Sequence, residues 1–248
     1  MTIVAQTVAW LSEPANWAGP NGIPTRLGEH VAISLAALLI ALAIALPAGM
    51  YVGHTRRGSG VAIGIANVGR AVPSLALIGL VLPITQALDP VNGFSLYPTI
   101  FAMIVLAIPP VLVNADAGIR GVDDDVVQAA RGMGLTEGQV LRRVEVPLAL
   151  PVVLGGVRSA TVQVIATVTL GAIFALGGLG RFIVDGIAEN DDGMLFGGVV
   201  LVGALAIAAE GILVGLQRLA SAASTGSPSR ARVRGAAEPS LPDVAPAG

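Results

Sequence analysis

The chain has 248 residues, of which 54% are hydrophobic and 12% charged, and its mean hydropathy is +0.80. A soluble domain of this length carries roughly 25% charged residues, so the composition indicates an integral membrane protein. The net charge of −2 gives no general attraction to nucleic acid. Because there is no cysteine and only two isolated histidines, disulfides and thiolate metal sites are excluded, and we predict no metal site.

Residues 1–28 are predicted to form an extracytoplasmic or interfacial segment. The apolar stretch stops at Ser12-Glu13-Pro14 and has no basic start, so it is not a signal peptide and we expect it to be retained. Trp10 and Trp17 suit either the headgroup level of a membrane or ordinary surface packing, and both alternatives stay open.

Five apolar segments are long enough to cross a bilayer, whose core of about 30 Å requires about 20 residues in a helix. They cover about residues 31–53, 60–85, 95–115, 150–176 and 193–217. The sequence therefore predicts an all-α polytopic membrane protein with a transport domain at residues 29–217. Residues 218–248 are rich in Ser, Ala, Pro and Arg without apolar periodicity, which predicts a disordered cytoplasmic tail.

The arginines lie mainly at one end of the predicted bundle. All 14 basic residues are arginines, and ten of them follow the first, third and fifth predicted spans. The other connectors hold only Arg26 and Arg181, next to several acidic residues. Since basic residues in short loops are retained inside, the amino terminus is predicted outside and the carboxyl terminus in the cytoplasm.

The longest interior connector, residues 116–147, is predicted to contain two short helices. Asp123, Asp124 and Asp125 place carboxylates at the amino end of the first helix, where the helix dipole favours them. Gly132 and Gly134 end that helix. Thr136 and Gln139 then form a capping box for the second helix, which runs to Pro147.

This connector resembles the EAA motif of ATP-binding-cassette (ABC) importer permeases, which is written E-A-A, three residues, G, nine residues, I, one residue, then L-P. The matching positions are Gln128, Ala129, Ala130, Gly134, Val144, Val146 and Pro147. The spacing is met in full, whereas Gln128, Val144 and Val146 differ in identity from the motif. Ala129 and Ala130 leave room for another surface to approach closely.

The resemblance implies a type I importer permease with the five-helix core of methionine importers. Such a permease works as a homo- or heterodimer with a dimer of ABC ATPase subunits and an extracytoplasmic binding protein, in the lipid of a bacterial cytoplasmic membrane. The chain itself is then no enzyme and holds no cofactor. It has no lysine and hence no Walker A sequence, so ATP and Mg²⁺ would be bound by the partner.

Further stretches resemble permeases for glycine betaine, carnitine and choline, which predicts an osmoprotectant as the solute. They are Glu29-His30, Leu46 to Gly49, Arg70 to Leu77, Ile119 to Asp123, Gly156 to Arg158 and Gly177 to Gly180. A permease for methionine or another small amino acid is the alternative within the class. An ATP-independent carrier or channel is the alternative from another class, although neither ion-coupling carboxylates nor a symmetric repeat is evident. A helix pair that only caps the bundle is the structural alternative for the connector.

Arg70, Arg158 and Glu210 are ionisable residues within predicted spans, where charges are costly unless they are paired or face water. Each lies roughly 10–15 Å from the inner end of its helix, at about 1.5 Å per residue. We predict that Glu210 pairs with Arg158 or Arg70 as a structural staple.

Other residues are candidates for the solute path or its gate, each with ordinary helix packing or helix ending as the alternative. They are Pro73, Phe174, Gly177, Gly178 and Gly180.

Overall fold

The structure is a computed structural model that describes residues 2–224. The side chains of Ile65, Arg70 and residues 220–224 lie outside the described part. The pairing predicted for Arg70 and most of the predicted tail, residues 225–248, therefore fall outside it as well. Within the described part, residues 218–224 continue the last helix, so any tail begins later than the sequence predicted.

The described residues form a helical bundle. The helices are α1 (Ile3–Ser12), α2 (Ile23–Thr55), α3 (Ser59–Ala71), α4 (Ser74–Leu88), α5 (Leu96–Arg120), α6 (Asp124–Gly132), α7 (Glu137–Val140), α8 (Val146–Val168), α9 (Gly180–Glu189) and α10 (Asp192–Ser224). A π-helical turn, Leu141–Glu145, joins α7 to α8, and a 3₁₀ turn, Thr169–Phe174, follows α8.

Within residues 2–224, four continuous helices are long and apolar enough to cross a membrane: Ile23–Thr55, Leu96–Arg120, Glu137–Phe174 and Asp192–Leu219. The segment predicted as one helix at about residues 60–85 is broken, because α3 and α4 meet at an angle of 86°. Val72 lies in the extended region, as a residue before proline prefers, and Pro73 precedes the first turn of α4. Counted as one broken span, the pair brings the membrane-crossing segments to five.

A ladder of small residues brings α2 against α5. Ala37, Ala41, Ala45, Gly49 and Gly53 recur every fourth position and are buried. A Cβ atom on Gly49 would lie 2.7 Å from the Cβ of Ala115, and one on Gly53 would lie 2.8 Å from the Cβ of Ile119. Membrane helices associate largely through such close backbone contact, because lipid supplies no hydrophobic driving force between them. This ladder therefore fixes the position of α2 on the central helix.

The same central helix contacts α8 at a second close approach. A Cβ atom on Gly156 would lie 2.6 Å from the Cβ of Asn114 and 2.7 Å from the carbonyl oxygen of Pro110. Met103 and Val111 of α5 are fully buried in the cluster formed with α2 and α8. Helices α2, α5 and α8 thus form the core on which the remaining helices lie.

The fourth span differs from its prediction at both ends. It begins at Glu137, which makes the second short helix of the connector continuous with the membrane helix. Its last turn ends at Ala175, which has a left-handed backbone (φ 60°), and not at the glycines 177, 178 and 180. Gly180 instead begins α9, in a region that the sequence assigned to a loop.

The N-terminal segment packs on the last span. Trp10 of α1 meets Phe182 of α9 edge to face, with ring centroids 5.1 Å apart. A Cβ atom on Gly197 of α10 would lie 2.4 Å from the Trp10 ring, so the glycine makes room for the indole. Trp17 is half exposed, and its indole N–H donates to the carbonyl oxygen of Leu11 at 2.7 Å. For Trp10, these contacts favour packing against the protein over a position at the headgroup level of the membrane.

Two adjacent glycines of α8 provide a test of the close approach between α5 and α8. We expect Gly156→Ala to lower the stability of the purified chain by about 1–3 kcal/mol, because the added methyl group meets backbone and side-chain atoms that must shift. Gly155→Ala is the matched control, since nothing lies within 4 Å of its Cβ position. Its effect should be neutral or stabilising by up to about 1 kcal/mol, from the better helix propensity of alanine. Thermal unfolding in detergent measures both, and equal effects would contradict the packing described here.

Candidate functional site

The connector between α5 and α8 forms a small folded unit, which we call the coupling module (residues 122–145). Val122, Val127, Ala130 and Val140 are buried together, with Leu135 and Val144 packed against them. The Asp123 side chain caps α6 by accepting from the N–H of Asp125 at 2.9 Å. Gln139 accepts from the backbone N–H of Thr136 at 2.9 Å, as expected for a capping box. The two short helices predicted from the sequence are therefore present and have a core of their own.

The EAA-like residues occupy different surroundings within and beside this module. Gln128, Ala129, Gly134 and Pro147 are exposed, and Val144 and Val146 are half-buried. Gly134 adopts φ +86°, which an L-residue rarely does and which allows the sharp turn between α6 and α7. Ala130 departs from its prediction, because its side chain is 2% exposed and faces the core of the module. Only Ala129 of the two alanines is available to a neighbouring surface.

An apolar stripe runs along the outer face of α6. Val126, Ala129 and Met133 are spaced three and four residues apart, so they share one helix face. Val126 is 43% exposed and Met133 is 75% exposed. Contiguous exposed apolar surface is typical of protein interaction sites, so this stripe is a candidate docking surface.

The π-helical turn connects the module to the membrane without a loop. The N–H of Val146 donates to the carbonyl oxygen of Leu141, a bond one residue longer than in an α-helix. Pro147 follows directly and has no N–H to donate, while its ring would crowd the carbonyl oxygen of Arg143 in a regular helix. The wider turn accommodates this ring, so the helix continues from Glu137 to Phe174 in spite of the proline.

Polar contacts of His54 fasten the module to the end of α2. His54 Nδ1 lies 2.5 Å from a carboxylate oxygen of Glu145, whose side chain is buried within the π-turn. Its Nε2 lies 3.1 Å from a carboxylate oxygen of Glu137, at the start of α7. Carboxylates accept hydrogen bonds, so His54 bridges the two ends of the second module helix.

A second set of contacts joins the two module helices and the neighbouring loop. Arg131 donates two hydrogen bonds to Glu137, of 2.9 and 3.0 Å, and this bonding raises the pKa of Arg131 above its ordinary value. Arg56 pairs with Asp124 at the start of α6. Both pairs are exposed, and such pairs contribute little stability singly. Together with His54, they hold α2, α6 and α7 in one arrangement.

The buried Asp116 anchors the start of α3 to the same end of the bundle. Its carboxylate accepts from Ser59 at 2.6 Å and from Arg120 at 2.9 Å. The end of the bundle that holds residues 54–59 and 116–147 is called the basic end below. Its ionic contacts therefore reach three membrane-embedded helices, α2, α3 and α5.

The sequence did not reveal His54, Glu145 or Asp116 as part of this site. One signal was present, since Glu145 is a lone acid between two apolar motif positions, Val144 and Val146. A carboxylate in such a position needs a partner, but the partner lies 91 residues away in the chain. Helical periodicity carries no information on a contact between distant elements.

The structure brings together two of the three predicted intramembrane charges. Arg158 Nε of α8 lies 3.0 Å from Glu210 Oε1 of α10. Arg158 also donates to the side-chain oxygen of Gln217 at 3.4 Å, and Gln217 donates to the carbonyl oxygen of Pro151 at 2.9 Å. Glu210 is thus paired with Arg158.

The candidate path and gate residues lie in separate places. Pro73 marks the bend between α3 and α4. Phe174 contacts Phe94 edge to face and packs against the core of α2, α5 and α8. The N–H of Gly178 donates to the Glu29 carboxylate at 2.7 Å, and a Cβ atom on Gly177 would lie 2.2 Å from the same carboxylate.

The remaining glycine of that group, Gly180, starts α9, and its Cβ position lies 2.7 Å from the Cα of Thr169. The glycines therefore let the loop after the fourth span approach the start of α2 and the end of α8. This contact lies at the opposite end of the bundle from the coupling module.

These features define a class of protein, a helical membrane protein that carries an exposed helix pair at the basic end of its bundle. Residues 32–222 match the family model described as "Binding-protein-dependent transport system inner membrane component". The chain belongs to this family and is a permease subunit of the ABC importer type.

Curated relatives have similar lengths. The chain is 34% identical over 190 residues to the choline transport system permease protein OpuBB of Bacillus subtilis (strain 168), covering 77% of this chain and 84% of that protein. It is 34% identical over 182 residues to the carnitine transport permease protein OpuCB of Listeria monocytogenes, covering 73% and 80%.

The fold is similar to that of a solved chain. A chain of the MetNI methionine ABC transporter, in inward-facing conformations, aligns with a TM-score of 0.71 and 21% identity, over 84% of this chain and 99% of that one. At this identity the likeness shows the fold, which is that of a type I importer permease.

Breaking the contact between His54 and Glu145 is expected to be costly. His54→Leu leaves the buried Glu145 carboxylate without this partner, so stability should fall by about 3–5 kcal/mol, as for other buried pairs. The double variant His54→Leu/Glu145→Leu should recover much of this loss, because it removes the uncompensated charge. Chemical unfolding of the purified chain measures the coupling between the two sites.

Arg56→Ala is the matched control for this pair, since it removes an exposed ionic contact at the same end of the bundle. Its effect should stay within about 1 kcal/mol. A loss for His54→Leu no larger than that for Arg56→Ala would contradict the role given to His54.

Proposed function

We propose that this permease imports an osmoprotectant such as glycine betaine, carnitine, choline or proline betaine, driven by a partner ATPase through the coupling module. The observation that carries the proposal is the module itself. It exposes an apolar stripe at Val126, Ala129 and Met133 and is joined to the bundle by a continuous helix and by His54. A helix pair that only capped the bundle would have no need of such an exposed face.

In this proposal the module docks in a cleft of an ABC ATPase subunit. Gln128, Ala129 and Gly134 meet the ATPase, and the half-buried Val144 and Val146, together with Pro147, hold the second module helix in line with α8. The permease works as a dimer, so two modules meet two ATPase subunits. ATP and Mg²⁺ are bound by those subunits, and the permease performs no covalent chemistry.

Transport proceeds by alternating access. ATP binding closes the ATPases and draws the two modules together, and the bundle opens to a loaded extracytoplasmic binding protein. The contact of Glu29 with Gly177 and Gly178 lies where such an opening would occur, at the end of the bundle away from the module. These glycines are therefore gate candidates, whereas the packing of Phe174 leaves it a weaker one.

The orientation follows from the distribution of arginines. The basic end faces the cytoplasm of a bacterial cell, and the amino-terminal segment with α1 lies outside. This orientation places the coupling module where an ATPase subunit can reach it.

The osmoprotectant assignment is supported by relatives and by the sequence stretches described above. Relatives at 34% identity carry names that specify choline or carnitine transport. Both solutes carry a quaternary ammonium group, and we extend this chemical class to the present chain.

The experiment is solute-stimulated ATP hydrolysis by the complex reconstituted with its ATPase and binding protein. Glycine betaine, choline, carnitine, proline and methionine are compared, and a quaternary ammonium compound should stimulate hydrolysis several-fold. Stimulation by methionine alone would overturn the substrate assignment. An active carrier that purifies without any ATPase would overturn the mechanism.

The docking surface has its own prediction. Met133→Glu places a charge in the apolar stripe, so co-purification of the ATPase with the permease should fall at least tenfold. Val91→Glu is the matched control, because Val91 is also an exposed apolar residue but lies at the other end of the bundle. Equal ATPase recovery for both variants would contradict the proposed docking surface.

A further inference from the structure

An open cavity with a mostly apolar wall and a patch of four polar residues lies within the membrane-spanning part of the bundle. It has a volume of about 540 Å³, lies between α8 and α10, and has Arg158, Ser159, Gln163 and Glu210 as its polar lining. Pockets for small molecules have volumes of about 300–1,000 Å³. The cavity is therefore large enough for a small solute.

Both charged residues lie deep in their helices. Arg158 is 12 residues from Val146, the first residue of α8, and Glu210 is nine residues from Leu219, where the apolar span of α10 ends. At about 1.5 Å per residue, they lie about 18 and 14 Å from these two residues. These depths are close to the centre of a hydrocarbon core about 30 Å thick. The cavity thus lies at a level where lipid would otherwise surround the bundle.

Gln217 contacts the ion pair on one side, and the other side of the pair is exposed to the cavity. Gln217 accepts a hydrogen bond from the Arg158 guanidinium, and its own amide donates to the carbonyl oxygen of Pro151. The Arg158 side chain is nevertheless 36% exposed and the Glu210 side chain 41% exposed. Charges at this depth are costly against lipid, and such residues almost always face a bundle interior or a water-filled space.

The neighbouring lining supports a water-filled space. Ser159 and Gln163 are one helical turn apart on α8 and line the same cavity as the ion pair. A staple between two helices requires only the pair itself. Ser159 and Gln163 add a hydroxyl and an amide beside the pair, and the Ser159 hydroxyl also donates to the carbonyl oxygen of Gly155 at 3.1 Å.

We infer that Arg158 and Glu210 form a transient binding site for zwitterionic solutes in the solute path. The inference rests on the proposed function and names a site for the zwitterions among its proposed solutes. The solute carboxylate binds the Arg158 guanidinium, whose planar fork suits two parallel hydrogen bonds. The solute ammonium group lies against the Glu210 carboxylate.

The site selects zwitterions because a bound zwitterion gives both Arg158 and Glu210 a new partner of opposite charge. A zwitterion separates one ion pair and forms two, so each protein charge keeps a partner of opposite sign. A cation without a carboxylate, such as choline, can pair with Glu210 but leaves Arg158 without an anionic partner. Zwitterions are therefore favoured over simple cations at this point of the path.

The absence of cysteine in the sequence allows a direct test of solvent access. Ser159→Cys introduces a single thiol into the cavity lining, and the chain in its native membrane is treated with a small water-soluble methanethiosulfonate reagent. We expect the thiol of Ser159→Cys to react at least tenfold faster than the thiol of Leu39→Cys. Leu39 is the control because it lies in the middle of α2 and its native side chain is 56% exposed on the bundle surface. Glycine betaine should slow the reaction at Ser159→Cys more than choline does.

Equal reaction rates of the two thiols would overturn the inference, because the wall would then face lipid or protein. This measurement needs neither the ATPase nor transport. Failure of the proposed function would show itself separately, as a wild-type permease that purifies without an ATPase.

Uptake of two solutes tests the roles of the charges. Arg158→Gln should lower uptake of glycine betaine at least tenfold more than uptake of choline, with permease abundance in the membrane measured in parallel. Glu210→Gln should lower both. The exchange variant Arg158→Glu/Glu210→Arg restores an ion pair and therefore controls for folding. If Arg158→Gln lowers both solutes equally and in proportion to abundance, and the exchange variant restores both fully, the pair is only a staple and the inference is wrong.

Discussion

The helix that runs from Glu137 to Phe174 joins the coupling module to the membrane without a flexible segment, and the other features of the basic end depend on it. A proline within a helix usually breaks or kinks it, because its ring crowds the carbonyl oxygen four residues earlier. Here the π-helical turn at Leu141–Glu145 widens the helix just before Pro147 and keeps it continuous. The second helix of the module and α8 consequently form one continuous helix. The same turn places Glu145 where His54 can reach it.

The first span is held to the fourth at both ends by polar contacts and along its length by small residues. At the basic end His54 contacts Glu137 and Glu145, and at the other end Glu29 accepts from the N–H of Gly178. Between them, α2 packs on α5 through its alanine and glycine ladder, and α8 packs on α5 at Gly156. This arrangement links the coupling module to the loop after the fourth span through rigid elements. It provides a physical route by which an event at one end can alter the other.

The sequence predicted the features that depend on local pattern. Runs of apolar residues indicated the spans, arginine placement indicated a basic end, and the spacing from Gln128 to Pro147 indicated the module and its family. Glu210 was expected to pair with Arg158 or Arg70 because lone charges in spans require partners. What the sequence did not predict depends on tertiary contact or on backbone detail.

Three details illustrate this limit. Residues 60–85 were predicted as one helix, but a proline in the sequence does not specify the 86° angle between α3 and α4. Ala130 looked like its neighbour Ala129, although one faces the module core and the other is exposed, because a boundary between helix faces falls between them. The glycines at 177–180 suggested a helix end, whereas the helix ends at Ala175 and the glycines serve close contacts with Glu29 and Thr169.

The most direct test of the continuous helix is to interrupt it. Insertion of two glycines between Val140 and Leu141 leaves the docking face of α6 unchanged but introduces a flexible joint ahead of the π-turn. Transport of the solute and co-purification of the ATPase are measured together in the reconstituted complex. The account predicts that the ATPase still binds while uptake falls at least tenfold. Uptake at the wild-type rate through the flexible joint would contradict it.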